Sequence, residues 1–142
     1  MNDEQKAKIA WLRRAFYAEK KVKALEMKLE RDRSLAERIS RSYSGISGTA
    51  SGNSTEDALI RLADTQQQAQ EQLVRLETIR KEISLAIAEI DDDDLQAVLM
   101  WHYLNYLTFE QTAEKMNYSE RNVRYKHKRA IDKLCLVLPS VM

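Results

Sequence analysis

Apolar residues recur at alternating steps of four and three along the first part of the chain. This spacing is the heptad repeat of a helix that packs lengthwise against another helix. It predicts a long basic coiled-coil helix over residues 1–43. The positions are Trp11, Ala15, Ala18, Val22, Leu25, Leu29, Asp32, Ala36, Ile39 and Tyr43, with Asp32 as the polar exception.

A second seam with the same alternation lies in the middle of the chain and predicts a second long helix over residues 58–90. A helix with one apolar stripe must cover that stripe. We therefore expect the two long helices to pair with each other as a coiled-coil hairpin, with a second copy of the chain, or both. The seam consists of Leu59, Leu62, Gln66, Ala69, Leu73, Leu76, Arg80, Ile83, Ile87 and Ile90.

The segment between the two seams is rich in serine and contains all three glycines of the chain. This composition predicts a flexible linker over residues 44–57. The linker is long enough for the second helix to fold back on the first, and the opposite net charges of the two segments favour that pairing. The Lys-Ser/Thr ending of a phosphate-binding P-loop is absent here, so we expect no phosphate site.

After residue 107 the pattern changes to two short amphipathic helices on either side of a tight turn. Thr108 followed by Gln111 is a capping box, which predicts a helix start. Asn117 tolerates the left-handed backbone of a sharp helix end, and Ser119 is a strong N-cap for the next helix. The inner face of the first helix repeats at three- and four-residue steps: Phe109, Thr112, Ala113 and Met116.

The second of these helices, residues 119–134, carries most of the positive charge of the C-terminal region. Residues 119–142 contain six basic and two acidic side chains, whereas residues 91–118 contain one and six. A positive helix on an acidic support, after a helix and a tight turn, is typical of a DNA reader. Its predicted inner residues are Val123, Ala130, Ile131 and Leu134. Its predicted outer residues are Glu120, Arg121, Asn122, Arg124, Tyr125, Lys128 and Arg129.

Residues 95–134 resemble region 4 of bacterial sigma-70 type factors. The matching positions are Val98-Leu99, Tyr103, Leu107-Thr108-Phe109-Glu110, Ala113-Glu114, Ser119, Val123-Arg124, Arg129-Ala130-Ile131 and Lys133-Leu134. The resemblance implies a small helix-turn-helix bundle over residues 91–142 whose last helix enters the major groove of double-stranded DNA. Asn117 replaces the usual turn glycine, and Lys126 stands where an apolar residue is common. The positions that usually approach DNA are Ser119, Glu120, Arg121, Asn122, Arg124, Tyr125 and Lys128.

The residue types divide the expected DNA contacts into two groups. Hydroxyls at helix starts and long cations suit phosphates, whereas Arg suits guanine and Asn suits adenine. The alternative is a solvated charged helix without a role in DNA binding. Expected at phosphates are Thr108, Ser119, Lys126, Lys128 and Arg129. Expected at base edges are Arg121, Asn122, Arg124 and Tyr125.

The layout of the whole chain is similar to that of small proteins of phages and integrative elements of Gram-positive bacteria. These include a family of unknown function and the ArpU and RinA type regulators. The long helices differ from the promoter-melting region of sigma factors, so we expect a protein other than a complete sigma factor. The resemblance implies a transcriptional regulator of a phage or mobile element that binds promoter DNA and contacts host RNA polymerase.

Two other functions remain open at this point. One is the DNA-recognition subunit of phage packaging, such as a small terminase subunit, and the other is a coiled-coil interaction protein without DNA binding. A single helix-turn-helix domain makes a small contact with DNA, so useful affinity ordinarily needs two copies. We therefore expect a homodimer or a higher homo-oligomer formed through residues 9–43 and 59–90.

The remaining residues predict neither a catalytic nor a metal site. The run Asp91–Asp94 favours the start of the helix that follows it, and it has no further ligand nearby for a metal ion. The two histidines, His102 and His127, are expected to lie too far apart for a zinc site. No catalytic triad or Cys/His pair is present, so we expect no enzymatic activity and no cofactor.

The composition supports an all-α protein of the cytoplasm. The 142 residues are 44% hydrophobic and 32% charged, with one proline and three glycines. No apolar run approaches the roughly 20 residues that span a bilayer, and the polar N-terminus does not suit a signal peptide, so we expect no membrane association. Cys135 lies in an apolar run and is expected to be a buried core residue.

Overall fold

The computed structural model describes residues 2–44 and 52–136, and within these ranges the chain is helical without strands. This confirms the predicted all-α class. The helices are α1 (Asp3–Leu12), α2 (Arg14–Ser44), α3 (Gly52–Ala88), α4 (Asp93–Leu99), a short π-helix (Met100–Leu104), α5 (Phe109–Met116) and α6 (Glu120–Lys133). None of the described helices is long and apolar enough to cross a membrane.

The chain divides into two compact units, which we call the long-helix unit and the bundle unit. The long-helix unit lies within residues 18–76 and contains most of α2 and the first two thirds of α3. The bundle unit combines the described residues of 1–17 with those of 77–142. The N-terminal helix thus belongs to the same unit as the predicted helix-turn-helix.

In the long-helix unit, α2 turns the first predicted seam inward, with some of its residues buried and Leu25, Leu29 and Ile39 half-buried. Ala18, Val22 and Ala36 are buried, and so is Asp32, the polar exception. The Thr65 hydroxyl on α3 donates a 2.6 Å hydrogen bond to the Asp32 carboxylate. A buried carboxylate is costly without a partner, so this bond fixes which residues of α2 and α3 face each other. The two long helices therefore pack on each other within one chain.

Every second position of the second predicted seam is displaced by one residue in the first two thirds of α3. Leu59 and Leu73 are 54% and 40% exposed, whereas Ala58 and Thr65 are buried; Leu76 is buried as predicted. The shift follows from the polar pair, because Thr65 must face Asp32 and this turns positions 59 and 73 outward. In the bundle unit the prediction from the same seam is confirmed for three isoleucines, because Ile83, Ile87 and Ile90 are buried.

The boundary predicted between linker and second helix needs correction. Residues 44–57 were expected to be a linker, but α2 includes Ser44 and α3 begins at Gly52. The first turns of α3 contain no strongly apolar stripe, so apolar periodicity could not indicate them, although Ser, Thr, Glu and Asp suit a helix start. The rest of the predicted linker, residues 45–51, lies outside the described residues.

The helix predicted over residues 1–43 is interrupted at Arg13, where φ is −74° and ψ is −7°. The Gln5 amide donates to the Asp132 carboxylate at 2.6 Å, and the buried Lys8 ammonium donates to the Ile131 carbonyl at 3.2 Å. A cation near the carbonyl end of a helix is favourable. These contacts hold α1 on the last turn of α6, so residues 3–12 form a helix of the bundle and not part of a coiled coil.

The rest of the bundle is assembled from α4, the π-helix, α5 and α6. Asp92 is the N-cap of α4, and its carboxylate accepts hydrogen bonds from the backbone N–H groups of Asp94 and Leu95. This confirms that the aspartate run starts a helix. Cys135 is exposed while Leu134 beside it is buried, so the expectation of a core cysteine is wrong. A central cluster consists of Val98, Ala113 and Val123, with Phe109, Met116 and Tyr118 packed against it.

Candidate nucleic-acid interface

The caps of α5 and α6 are those that the sequence predicts. The Thr108 hydroxyl accepts the backbone N–H of Gln111 at 3.1 Å, and the Gln111 side chain accepts the backbone N–H of Thr108 at 2.9 Å. Asn117 has a left-handed backbone with φ 58° and ψ 41°. The Ser119 hydroxyl accepts the backbone N–H of Asn122 at 3.1 Å. The helix-turn-helix geometry therefore follows from local residue chemistry.

One face of α6 is buried in the bundle. Val123, Ala130, Ile131 and Leu134 are buried, as predicted. On α5 the facing residues include Thr112 and Ala113, which are also buried. The small Ala113 side chain allows the two helices to approach closely. Because the inner face is apolar and covered, the orientation of the opposite face is fixed.

The outer face of α6 presents most of the residues predicted to approach DNA. The Asn122 side chain is half-buried there, and Tyr125 is 60% exposed. Successive turns of the helix place cations on the same side, which gives a positive strip. The exposed residues of this outer face are Glu120, Arg121, Arg124, Tyr125, Lys128 and Arg129.

Arg124 is held in position before any ligand binds. Its Nε lies 3.6 Å from the Glu120 carboxylate, and its guanidinium carbon lies 4.7 Å from the ring centroid of Phe109. Glu120, which the resemblance placed at DNA, is thus the intramolecular partner of Arg124. An exposed ion pair of this kind contributes little free energy, so Arg124 can exchange the carboxylate for another anion at low cost.

Tyr125 and Arg129 form a second pair on the outer face. The Arg129 guanidinium carbon lies 5.7 Å from the centroid of the Tyr125 ring. This cation–π contact orients the ring along the helix surface. An exposed aromatic side chain beside a cation suits contact with a base or a sugar.

Lys126 has a different environment from the other cations of α6. Its ammonium lies 3.0 Å from the Asp94 carboxylate, and the Tyr118 hydroxyl donates to the same carboxylate oxygen at 2.6 Å. The hydrogen bond from Tyr118, followed by that from Lys126, lowers the pKa of Asp94. The bond with Asp94 raises the pKa of Lys126. Lys126 therefore ties α6 to the first turn of α4, and its predicted phosphate contact stays a prediction.

The two histidines lie together, contrary to the sequence expectation. Their ring centroids are 5.7 Å apart, with His102 Nδ1 donating to the Leu107 carbonyl at 2.6 Å and His127 Nε2 hydrogen-bonded to the Tyr103 hydroxyl at 2.6 Å. Burial lowers the pKa of both, that of His127 to about 4. The described residues contain no group of three or more His, Cys, Asp or Glu that could hold a metal ion. The available signal was that His127 falls on the inner face of α6, in step with Val123 and Ala130.

Sequence reasoning missed Arg13. With Ile9 and Phe16 it lines one side of a cavity of about 590 Å³ whose other walls include Arg124 and Lys128. Arg13 lies at this cavity because α1 packs on α6 and does not continue the coiled coil of α2. No motif around Arg13 indicated it.

Comparison with known families agrees with this geometry. Residues 86–134 match the family model for sigma-70, region 4, which covers the end of α3 and all of α4, the π-helix, α5 and α6. The match does not extend to residues 1–85. No curated protein and no solved structure matches the chain. Residues 86–134 therefore form a sigma-70 region 4 domain, a helix-turn-helix domain of the DNA-binding kind.

Proposed function

We propose that the protein binds double-stranded DNA in a sequence-specific manner, with α6 in the major groove, and regulates transcription. The observation that carries this proposal is the positive strip on α6, opposite a face that the bundle buries. The strip consists of Arg121, Arg124, Lys128 and Arg129, all exposed. The major groove admits one α-helix, and phosphates on both sides attract its cations.

The arrangement of the strip supports a division of roles. Arg121, Asn122, Arg124 and Tyr125 lie in the first half of α6 and are proposed to read base edges. Lys128 and Arg129 are proposed to contact phosphates. The hydroxyls of Thr108 and Ser119 accept backbone N–H groups, which leaves each hydroxyl proton available for a phosphate. Lys126 is proposed to contribute least to DNA binding, because its ammonium is already paired with Asp94.

We also propose that the long-helix unit joins two copies of the chain. The displaced register of α3 leaves Leu59 and Leu73 exposed two heptads apart, and Ile60 and Met27 are 61% and 67% exposed. Apolar side chains on otherwise charged helices gain free energy by pairing with the same surface of a second copy. A dimer would carry two reading domains and bind two half-sites.

The dimer is tested by sedimentation equilibrium at micromolar concentration. Wild type is expected to be dimeric, and the double variant Leu59→Glu, Leu73→Glu is expected to be monomeric with unchanged helicity. A matched control is Arg61→Glu, which makes the same change in net charge at an exposed position on a different side of the same helix. A monomeric wild type contradicts the dimer, whereas a ring of many subunits would instead support a DNA-recognition subunit of phage packaging.

A role in a phage or mobile element, with host RNA polymerase as a second partner, completes the proposal. It is supported by the combination of a region 4 domain with two long helices, a layout unlike that of a complete sigma factor. Co-purification of core RNA polymerase with the tagged protein is the expected result. If purified polymerase fails to bind at micromolar concentration, the proposed polymerase partner is contradicted, whereas the proposal of DNA binding is unaffected.

DNA binding itself is tested by selecting bound duplexes from a random pool with the full chain. We expect enrichment of one sequence family, with specific dissociation constants of about 10⁻⁸ M or below. Arg121→Gln should reduce the enrichment, and Lys81→Gln, an exposed cation of α3 away from the strip, should not. A pool that stays random after repeated rounds would contradict sequence-specific binding.

A further inference from the structure

The cavity between α1, the start of α5 and the middle of α6 has the size of a small-molecule site. Its volume is about 590 Å³. Cavities that hold small organic ligands measure about 300–1,000 Å³ and combine apolar walls with a few convergent polar groups. Aromatic rings form much of the wall, and three cations, Arg13, Arg124 and Lys128, also line it.

The aromatic walls are held in place by contacts with neighbouring groups. His102 stacks on Phe109 with centroids 4.1 Å apart and planes inclined by 10°. Tyr106 has a left-handed backbone with φ 60°, a costly conformation for a bulky residue. Arg80 holds it there by donating to the Tyr106 hydroxyl and the Leu104 carbonyl, both at 2.7 Å. Such walls lose little entropy when a planar ligand stacks on them.

The charges around the cavity are of one sign. No Asp or Glu is among its lining residues, and Arg13 and Lys128 form no ion pair within the described parts of the chain. Burial lowers the pKa of His102, and the charges of Arg13 and Arg124 lower it further. The field of both arginines therefore reaches the cavity wall. Two cations without an ion pair, Arg13 and Lys128, together with Arg124, whose partner Glu120 lies outside the lining, favour an anionic ligand.

We propose that this cavity binds a small aromatic anion, a planar ring with a carboxylate or phosphate group, and that the bound anion competes with DNA. The ring lies against Tyr106, because His102 and Arg124 already contact the Phe109 ring, and the anionic group pairs with Arg13 and Lys128. Arg124 and Lys128 belong both to the cavity and to the positive strip of α6. A ligand that pairs with Lys128 and lies beside Arg124 hinders both cations from contacting DNA. Binding of the anion is independent of the proposed function, whereas its competition with DNA rests on that function.

The binding step is tested without DNA, by calorimetry on the full chain. The probes are naphthalene-2-carboxylate and adenosine 5′-monophosphate, which distinguish a ligand with a carboxylate from a ligand with a phosphate. The neutral control is 2-naphthamide, which has the same ring. We expect at least one anion to bind at millimolar concentration or below, and about tenfold more tightly than the amide because of its charge-assisted hydrogen bonds. Equal binding of the amide, or no binding of either anion, overturns the proposal.

Two variants locate the site. Arg13→Gln changes an exposed residue at the end of α1 and is expected to weaken anion binding about tenfold. Arg121→Gln, on α6 but outside the cavity, is the matched control and should leave anion binding unchanged. Equal losses in both variants would assign the effect to general charge and overturn the site. Because substitutions at a helix junction can disturb folding, circular dichroism of each variant must match wild type.

A second approach does not depend on charge. Ile9→Trp places a larger side chain in the cavity from α1, so anion binding should be lost even though all cations remain. The ring signals of His102 and His127 in NMR spectra should shift with the probe in wild type and stay fixed in this variant. Unchanged binding by a folded Ile9→Trp variant contradicts the location.

The competition step uses the DNA that the selection identifies. Saturating naphthalene-2-carboxylate, or the nucleotide if that is the better probe, should weaken DNA binding about tenfold in wild type and leave the Ile9→Trp variant unaffected. If the probe binds but DNA affinity does not change, competition is refuted and the site stands. If the chain binds no DNA at all, the proposed function fails while the calorimetric result is unaffected.

Discussion

The Lys126 ammonium lies 3.0 Å from the Asp94 carboxylate and joins α6 to the first turn of α4. The Lys126 and Asp94 side chains are 23% and 43% exposed, so the pair is only partly covered. Tyr118, in the turn between α5 and α6, donates to the same carboxylate. This three-residue junction fixes α6 relative to its support.

We predict that Lys126→Met lowers the melting temperature by a few degrees but leaves the salt dependence of DNA binding unchanged. The reason is that the ammonium already pairs with the Asp94 carboxylate, so we expect it to contribute little at a phosphate. Arg129→Met, the matched control, should lower the slope of log K against log salt by about one. Anisotropy titrations over a range of salt concentrations measure both, and a reduced slope in Lys126→Met would place its charge at DNA.

Thr65→Val should destabilise the long-helix unit by about 1–3 kcal/mol, because it leaves the buried Asp32 carboxylate without its hydrogen bond. Replacing both residues, as in Asp32→Leu with Thr65→Val, should recover much of that loss. Ser34→Ala, an exposed position on α2, is the control and should stay within about 0.5 kcal/mol of wild type. Urea unfolding gives all the values, and strictly additive effects at 32 and 65 would disprove the pairing.

The backbone at Asn117 gives a prediction of opposite sign for two substitutions. Its φ of 58° is the left-handed region, which glycine enters freely and a Cβ disfavours. Asn117→Gly should be neutral or stabilising by up to about 1 kcal/mol, and Asn117→Ala should destabilise by about 1 kcal/mol. Thermal unfolding distinguishes them, and a more stable alanine variant would contradict the turn geometry.

Acidification should destabilise the bundle unit through its histidines. Burial lowers the pKa of His127 from 6.5 to about 4 in the folded state, so the unfolded state binds more protons between these values. The stabilisation is present above pH 6.5 and is lost as the pH falls toward 4, a loss of roughly 3 kcal/mol. Urea unfolding as a function of pH measures it, and NMR titration should show the His127 ring protonating near pH 4.

The control for this effect is His127→Gln, which removes the titrating group. Its stability should vary less over the same interval, although the lowered pKa of His102 leaves a smaller dependence. A His127 ring that titrates near 6.5 in the folded protein would contradict its burial against Tyr103.

The correctly predicted features are those that depend on neighbours in sequence. Thr108 with Gln111, Asn117 and Ser119 each satisfy backbone groups within three residues, so their roles can be derived from residue chemistry. The inner face of α6 follows likewise from helical periodicity. In each case the determining contact is local.

The features that sequence reasoning missed depend on distant partners. Leu59 fits a heptad as well as Ala58 does, and only the buried Asp32 opposite Thr65 decides between them. Arg13 lines the cavity only because the helix is interrupted there and α1 packs on α6. His102 and His127 meet only when the π-helix packs on α6. Periodicity gives the face of a helix but not the residue that it meets.

The proposed function places the reading of DNA sequence in α6. The most direct measurement is a set of anisotropy titrations of wild type, Arg124→Ala and Lys128→Ala on the selected duplex and on a shuffled duplex of equal composition. Wild type should prefer the selected duplex by at least about a thousandfold. Arg124→Ala should lose about 1–3 kcal/mol of that preference, and Lys128→Ala should bind both duplexes more weakly by the same factor. Equal affinity of wild type for the two duplexes would contradict the claim.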